Sequence, residues 1–72
     1  MISNIRGERS RQDMTQEQLA EAVGVSPSAV RSWESGTTKP GPHQLMKMSD
    51  LFGCSIDYLL ERTNERIGLY QP

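Results

Sequence analysis

The sequence predicts an all-α fold of five short helices in a single domain. Three observations lead there. Apolar residues recur at helical spacing in several short runs, most of the runs open on a serine, threonine or proline, and glycines stand where helices must stop. No period-two alternation, repeat or low-complexity segment competes. At 72 residues the chain lies near the lower size limit for a domain that folds without staples, and its single cysteine, Cys54, excludes an internal disulfide. The apolar fraction of 35% is modest, but helices can gather it onto few faces.

The elements follow in order. Ser3 can cap a first helix running to about residue 12, with Ile2 and Ile5 facing inward. Gly7 within it costs roughly 1 kcal/mol of helix propensity against alanine. Thr15 caps the second helix, and Gln18 three residues on completes a capping box. Leu19, Ala20 and Val23 share that helix's inner face. Gly24 supplies the positive φ that ends one helix and turns the chain into the next. Ser26-Pro27 is an N-cap and N1 pair for the third helix, since the N–H that proline lacks would be unpaired there anyway. Val30 and Trp33 form its inner face. Residues 36–42, GTTKPGP, make a loop, and Pro42 can open a fourth helix over about 43–52. There Leu45, Met48, Leu51 and Phe52 are assigned to one stripe; Met46 and Met48 read as surface and core filler, and Gly53 stops the helix. Ser55 can cap a last short helix through residues 60 and 61 that buries Ile56, Leu59 and Leu60. Residues 1–61 thus form the domain and 62–72, RTNERIGLYQP, a tail whose Ile67, Leu69 and Tyr70 either dock on a surface or partner chain or fray.

Residues 16–35, QEQLAEAVGVSPSAVRSWES, carry the densest constraint. Ala20 admits the following helix closely, Gly24 makes the turn, and Val25, Val30 and Trp33 fall at fixed offsets. Thr15-Gln16 opens the stretch and Trp33-Glu34-Ser35-Gly36 closes it as W-E-x-G. This pattern resembles the helix-turn-helix of the Cro and phage-repressor family, the Xre-like regulators, and the resemblance extends over about residues 5–60. It implies a compact five-helix, phage-repressor-like domain whose third helix lies in the major groove of double-stranded DNA. It further implies a transcriptional regulator, a repressor that binds a palindromic operator as a homodimer.

The resemblance assigns the base-facing positions to Pro27, Ser28, Arg31 and Ser32. Arg31 can bridge guanine O6 and N7, or hold a phosphate. Ser28 hydrogen-bonds several bases and discriminates poorly, and Ser32 can contact a base or stay solvated. Pro27 stands where relatives often carry glutamine; it can touch a thymine methyl at most, or simply start the helix. Phosphate contacts fall to Gln16, aided by the helix dipole at its N-terminus, and to Ser35 and Lys39. Ser35 replaces a frequent asparagine, and Thr37 and Thr38 replace residues that are often basic. Arg9 and Glu34 match a pair that relatives join as a partly buried salt bridge between helices one and three. Glu8 departs from the pattern, standing where relatives usually carry a core leucine; that predicts either a rotated register or a weaker first helix.

Charge pulls against the nucleic-acid reading in sum and supports it in distribution. Eight Lys/Arg against nine Asp/Glu leave a net charge of −1. Arg6, Arg9, Arg11, Arg31 and Lys39 nonetheless weight one side, and Asp50, Asp57, Glu61 and Glu65 the other. The competing reading is a protein-interaction module on the same fold, such as an antitoxin-like partner or an antagonist of another regulator. Catalysis finds no support: His43 is the only histidine, with no nucleophile, metal-ligand spacing or phosphate loop beside it. No cofactor, metal or small-molecule ligand is implied. Neither a membrane span nor a signal-peptide core is present, which predicts a soluble cytoplasmic protein.

Overall fold

The computed structural model describes residues 3–67, and its five helices are α1 (Asn4–Arg11), α2 (Gln16–Val23), α3 (Pro27–Ser35), α4 (Pro42–Phe52) and α5 (Ile56–Leu59). Each start has a local cause. Ser3, Thr15, Ser26 and Ser55 accept from the backbone N–H of Arg6, Gln18, Ala29 and Tyr58, so each occupies one donor the helix cannot satisfy itself. The Thr15 box is complete, with the Gln18 side chain accepting from the Thr15 N–H at 2.8 Å. Proline is the first residue of both α3 and α4. Gly24 stops α2 at φ +80°, and the N–H groups of Gly24 and Val25 close back on the Ala20 carbonyl.

The core is Ile5, Leu19, Ala20, Val23, Val30, Trp33, Leu45, Met48, Phe52, Cys54 and Leu59. α2 and α3 pack on each other, α4 closes the core beneath α2, and α1 lies chiefly on α3 and α5. Val25 and Ala29 pack against its margin, as do Met14, Tyr58 and Leu60.

Three expectations need correction. Leu51 is not on the core stripe of α4: it is 37% exposed, and the buried fourth member is Ser49, whose hydroxyl donates to the Cys54 carbonyl at 2.6 Å. Leu45, Met48, Ser49 and Phe52 satisfy i, i+3, i+4, i+7, whereas Leu51 lies about 110° from the middle of that stripe. Ile56 is likewise exposed, because α5 is a single turn with one deeply buried position, Leu59; residue 60 is already its C-cap and residue 61 has left the helix. Of the two outcomes open for Glu8, α1 does not take the rotated register. Glu8 is 2% exposed and sits inside, beside Ile5, which remains buried. Of the apolar tail residues, Ile67 is exposed, while Leu69 and Tyr70, like Ile2, lie outside the described residues.

Candidate nucleic-acid interface

Burial of Val30 and Trp33 leaves the opposite side of α3 facing outward. Ser28, Arg31 and Ser35 are exposed there, and Pro27 and Ser32 are half-buried beside them. Arg31 does not project alone: its Nη2 donates to Ser28 Oγ at 3.0 Å, one turn earlier. Ser35 is turned back on its own helix, donating to the Ser32 carbonyl at 3.1 Å and sharing a 2.9 Å hydrogen bond with Thr37 Oγ1.

Behind this face the first three helices meet in a polar cleft of about 410 Å³ lined by Arg6, Arg9, Gln16, Arg31, Glu34 and Ser35. Its floor is one connected network. Arg9 Nε donates to Glu34 Oε2 at 2.7 Å and Arg9 Nη2 to Oε1 at 3.2 Å, while Arg9 Nη1 holds the Met14 carbonyl at 2.7 Å. Gln16 Nε2 donates to the same Glu34 Oε1 at 3.1 Å. The hydrogen bonds that Arg9 donates to Glu34 hold its guanidinium above the usual arginine range, so it stays charged. α1, α2 and α3 are thereby joined through one carboxylate.

Arg6 and Arg31 at the cleft make no ion pair among the described residues. Glu34 is matched by Arg9, so the cleft carries surplus positive charge beside the N-terminus of α2, where unpaired backbone N–H groups and the helix dipole favour an anion. Arg6 was not singled out as a contact by sequence reasoning, although its i, i+3 spacing from Arg9 puts both on one face of α1. Arg11 belongs elsewhere, turning toward Glu8 at 3.4 Å. Lys39 is exposed in the α3–α4 loop and does not line the cleft.

Among the described residues no helix is long and apolar enough to cross a membrane, and no group of three His, Cys, Asp or Glu could hold a metal ion. Cys54 is buried, and burial pushes its thiol up to about 11 with help from Glu8, against Arg66 and Arg11. It is packing, not a nucleophile.

Residues 5–59 match a family described as helix-turn-helix. The chain is 38% identical over 61 residues to repressor protein C2 of Salmonella phage P22, covering 85% of this chain and 28% of that protein. It is 44% identical over 52 residues to the HTH-type transcriptional activator BcrR of Enterococcus faecalis, covering 72% and 26%. The chain therefore spans about a quarter of the length of these two relatives. In structure it resembles the P22 c2 repressor protein crystallised with a synthetic operator, with a TM-score of 0.74, 37% identity, and 79% of this chain and 86% of that one covered.

Proposed function

The chain belongs to the helix-turn-helix family of Cro- and C1-type, Xre-like proteins, and from that premise we propose that it is a sequence-specific DNA-binding transcriptional regulator. It acts as a repressor, binding a palindromic operator as a homodimer with α3 in the major groove. The observation that carries this reading is the cleft, where Arg6 stands by the N-terminus of α2 without an acidic partner and Arg31, also unpaired among the described residues, leads from it to the outer face of α3. A backbone phosphate is the ligand such a site suits, and one seated there would bring α3 against the base edges. The likeness to a repressor domain crystallised on a synthetic operator supports the same docking.

Roles divide by chemistry. Arg31, steadied by Ser28, addresses guanine; Pro27 offers apolar contact to a thymine methyl, and Ser32 a weakly selective hydroxyl. Gln16 presents its backbone N–H and the remaining amide hydrogen to phosphate, because its other hydrogen is held by Glu34. Ser35 and Lys39 extend the backbone contacts. With so few discriminating side chains, the shape and deformability of the operator supply part of the specificity. Two half-sites addressed by a dimer lie about 10–10.5 bp apart.

Selection from random-sequence duplexes at low salt tests the proposal. A palindromic consensus is expected for the wild type, relaxed at one position per half-site in Arg31→Ala. Enrichment of no sequence, with Arg31→Ala indistinguishable from wild type, would leave the protein-interaction reading, which the net charge of −1 and the exposed Met46, Leu51, Ile56 and Ile67 favour.

A further inference from the structure

α1 has an unusually thin apolar anchor. Of its eight residues only Ile5 and Glu8 are buried, and Glu8 is a carboxylate 2% exposed. Greasy contact is non-directional and through one isoleucine cannot fix how a helix is rotated or how far it slides. Directional bonds do so here. Asn4 Nδ2 donates to the Tyr58 carbonyl at 2.7 Å and Gln12 Nε2 to the Leu51 carbonyl at 3.1 Å at the two ends of α1, and ion pairs grip its middle from two sides. Arg9 is held by Glu34 of α3, as described. Its neighbour Glu8 points about 100° around the helix and meets Arg66, from the segment after α5. Arg66 Nη2 donates to Glu8 Oε1 and Arg66 Nε to Oε2, both at 2.8 Å, the two-pronged geometry that sets direction as well as distance. The same guanidinium also donates to the carbonyls of Phe52 and Gly53 at the end of α4, and the Ser55 N–H donates to the Arg66 carbonyl at 2.9 Å. Residues 62–67 therefore run as a strap from α5 across the end of α4 to the buried side of α1.

We infer that Glu8 and Arg66 are positioning residues for DNA binding: docking of the strap sets α1, and α1 in turn sets the cleft through Arg6 and the Arg9–Glu34 pair. The inference rests on the DNA-binding reading above. A partner that pulls the strap off α1 then works against DNA, and DNA opposes that partner by the same factor, because coupling between two binding events is reciprocal.

The test compares wild type, Arg66→Ala, and Glu8→Gln combined with Arg66→Ala. The double variant frees the strap without stranding a carboxylate, so it folds even where Arg66→Ala does not. The probe is the duplex that wild type selects, with affinities measured well below each unfolding midpoint. Released straps are expected to weaken binding at least about fivefold. In the free protein, α1 amides and the Ser55 amide should exchange faster in the double variant while α4 amides keep their rates. Adding the duplex to wild type should slow exchange at Ser55. Wild-type affinity in the strap-free protein would overturn the proposal, as would α1 amides exchanging at wild-type rates or a rise spread evenly over α4 as well. Should wild type select no duplex, the DNA reading falls by itself and the exchange of α1 still decides whether the strap positions it.

Discussion

Glu8 and Arg66, 58 positions apart, meet as a two-pronged ion pair whose ends are unequally protected: 3% of the Glu8 side chain is exposed, against 29% of Arg66. Removing Arg66 leaves the carboxylate buried with only the largely exposed Arg11 at 3.4 Å. Removing Glu8 leaves a guanidinium that keeps two backbone carbonyls and reaches water. Arg66→Ala should therefore cost about 3–5 kcal/mol, the range for a stranded buried charge. Glu8→Leu should cost less, about 1.5–3 kcal/mol, the scale of hydrogen bonds to a charged group. Urea unfolding of both variants checks the asymmetry, and equal costs would contradict it.

The second clasp behaves differently because its carboxylate is shared. Glu34 accepts from Arg9 twice and from Gln16 once, with its side chain 5% exposed and that of Arg9 14%. Removing Glu34 leaves Arg9 among Arg6 and Arg31, three like charges around one cleft. Both Arg9→Ala and Glu34→Ala should destabilise by about 3 kcal/mol or more. A double-mutant cycle should return a coupling of roughly 0.5–3 kcal/mol, and a coupling of zero would mean the pair is held by its surroundings instead.

Much of this fold was legible because its signals are local. A Thr15-to-Gln18 box, a Ser26-Pro27 start and Gly24 at a turn each lie within four residues of what they satisfy, so spacing alone exposes them. Arg9 and Glu34 became readable only through the resemblance. Glu8 stood out as a departure, yet its partner could not be found: Arg66 lies in a segment without periodicity, and nothing short of the fold links the two. Leu51 failed for a different reason. Hydrophobicity nominated it over Ser49, but helical geometry gave the inward position to the serine, whose hydroxyl has a carbonyl partner there. Arg6 was one turn from Arg9 and lacked only the knowledge that α1 faces the α2 N-terminus.

Binding to a selected duplex separates charge from reading. Lys39 is exposed and free of ion pairs among the described residues. Lys39→Ala should weaken all sequences alike and reduce the slope of log K against log salt by about 1. Arg31→Ala should cost about 1–3 kcal/mol on the preferred sequence and relax a single base position. If Arg31→Ala shifts every sequence equally, Arg31 holds a phosphate and the base role falls to its neighbours on α3.

Cys54 predicts a dependence on pH. Its thiol is raised to about 11, by burial first and by the Glu8 carboxylate second. An acid raised in the folded state keeps its proton when the unfolded chain has lost it, so the unfolded state binds fewer protons. Stability then falls as pH rises from near the ordinary thiol value, about 8.5, towards 11. The slope contributed by one group cannot exceed roughly 1.4 kcal/mol per pH unit. Comparing wild type with Cys54→Ala over that interval isolates it: the gap between them should narrow with rising pH, and a constant gap would show that the thiol ionises equally in both states.

One chemical change placed at two glycines should have opposite signs. At Gly24, φ is +80°, and although an added Cβ would meet only Lys47 Nζ at an ordinary 3.7 Å, the backbone itself penalises a side chain. Gly24→Ala should cost about 1–2 kcal/mol, the price of the left-handed region for an L-residue. Gly7 lies inside α1 with nothing within 4 Å of a new Cβ. Gly7→Ala should therefore stabilise by about 1 kcal/mol, since alanine loses less backbone freedom on entering a helix. For a domain of this size each kcal/mol moves the thermal midpoint by about 4–8 °C, so melting curves resolve both changes. A stabilising Gly24→Ala would mean that the turn tolerates a right-handed alternative. A neutral Gly7→Ala would mean that α1 is fixed by its two ionic clasps strongly enough for propensity to be irrelevant.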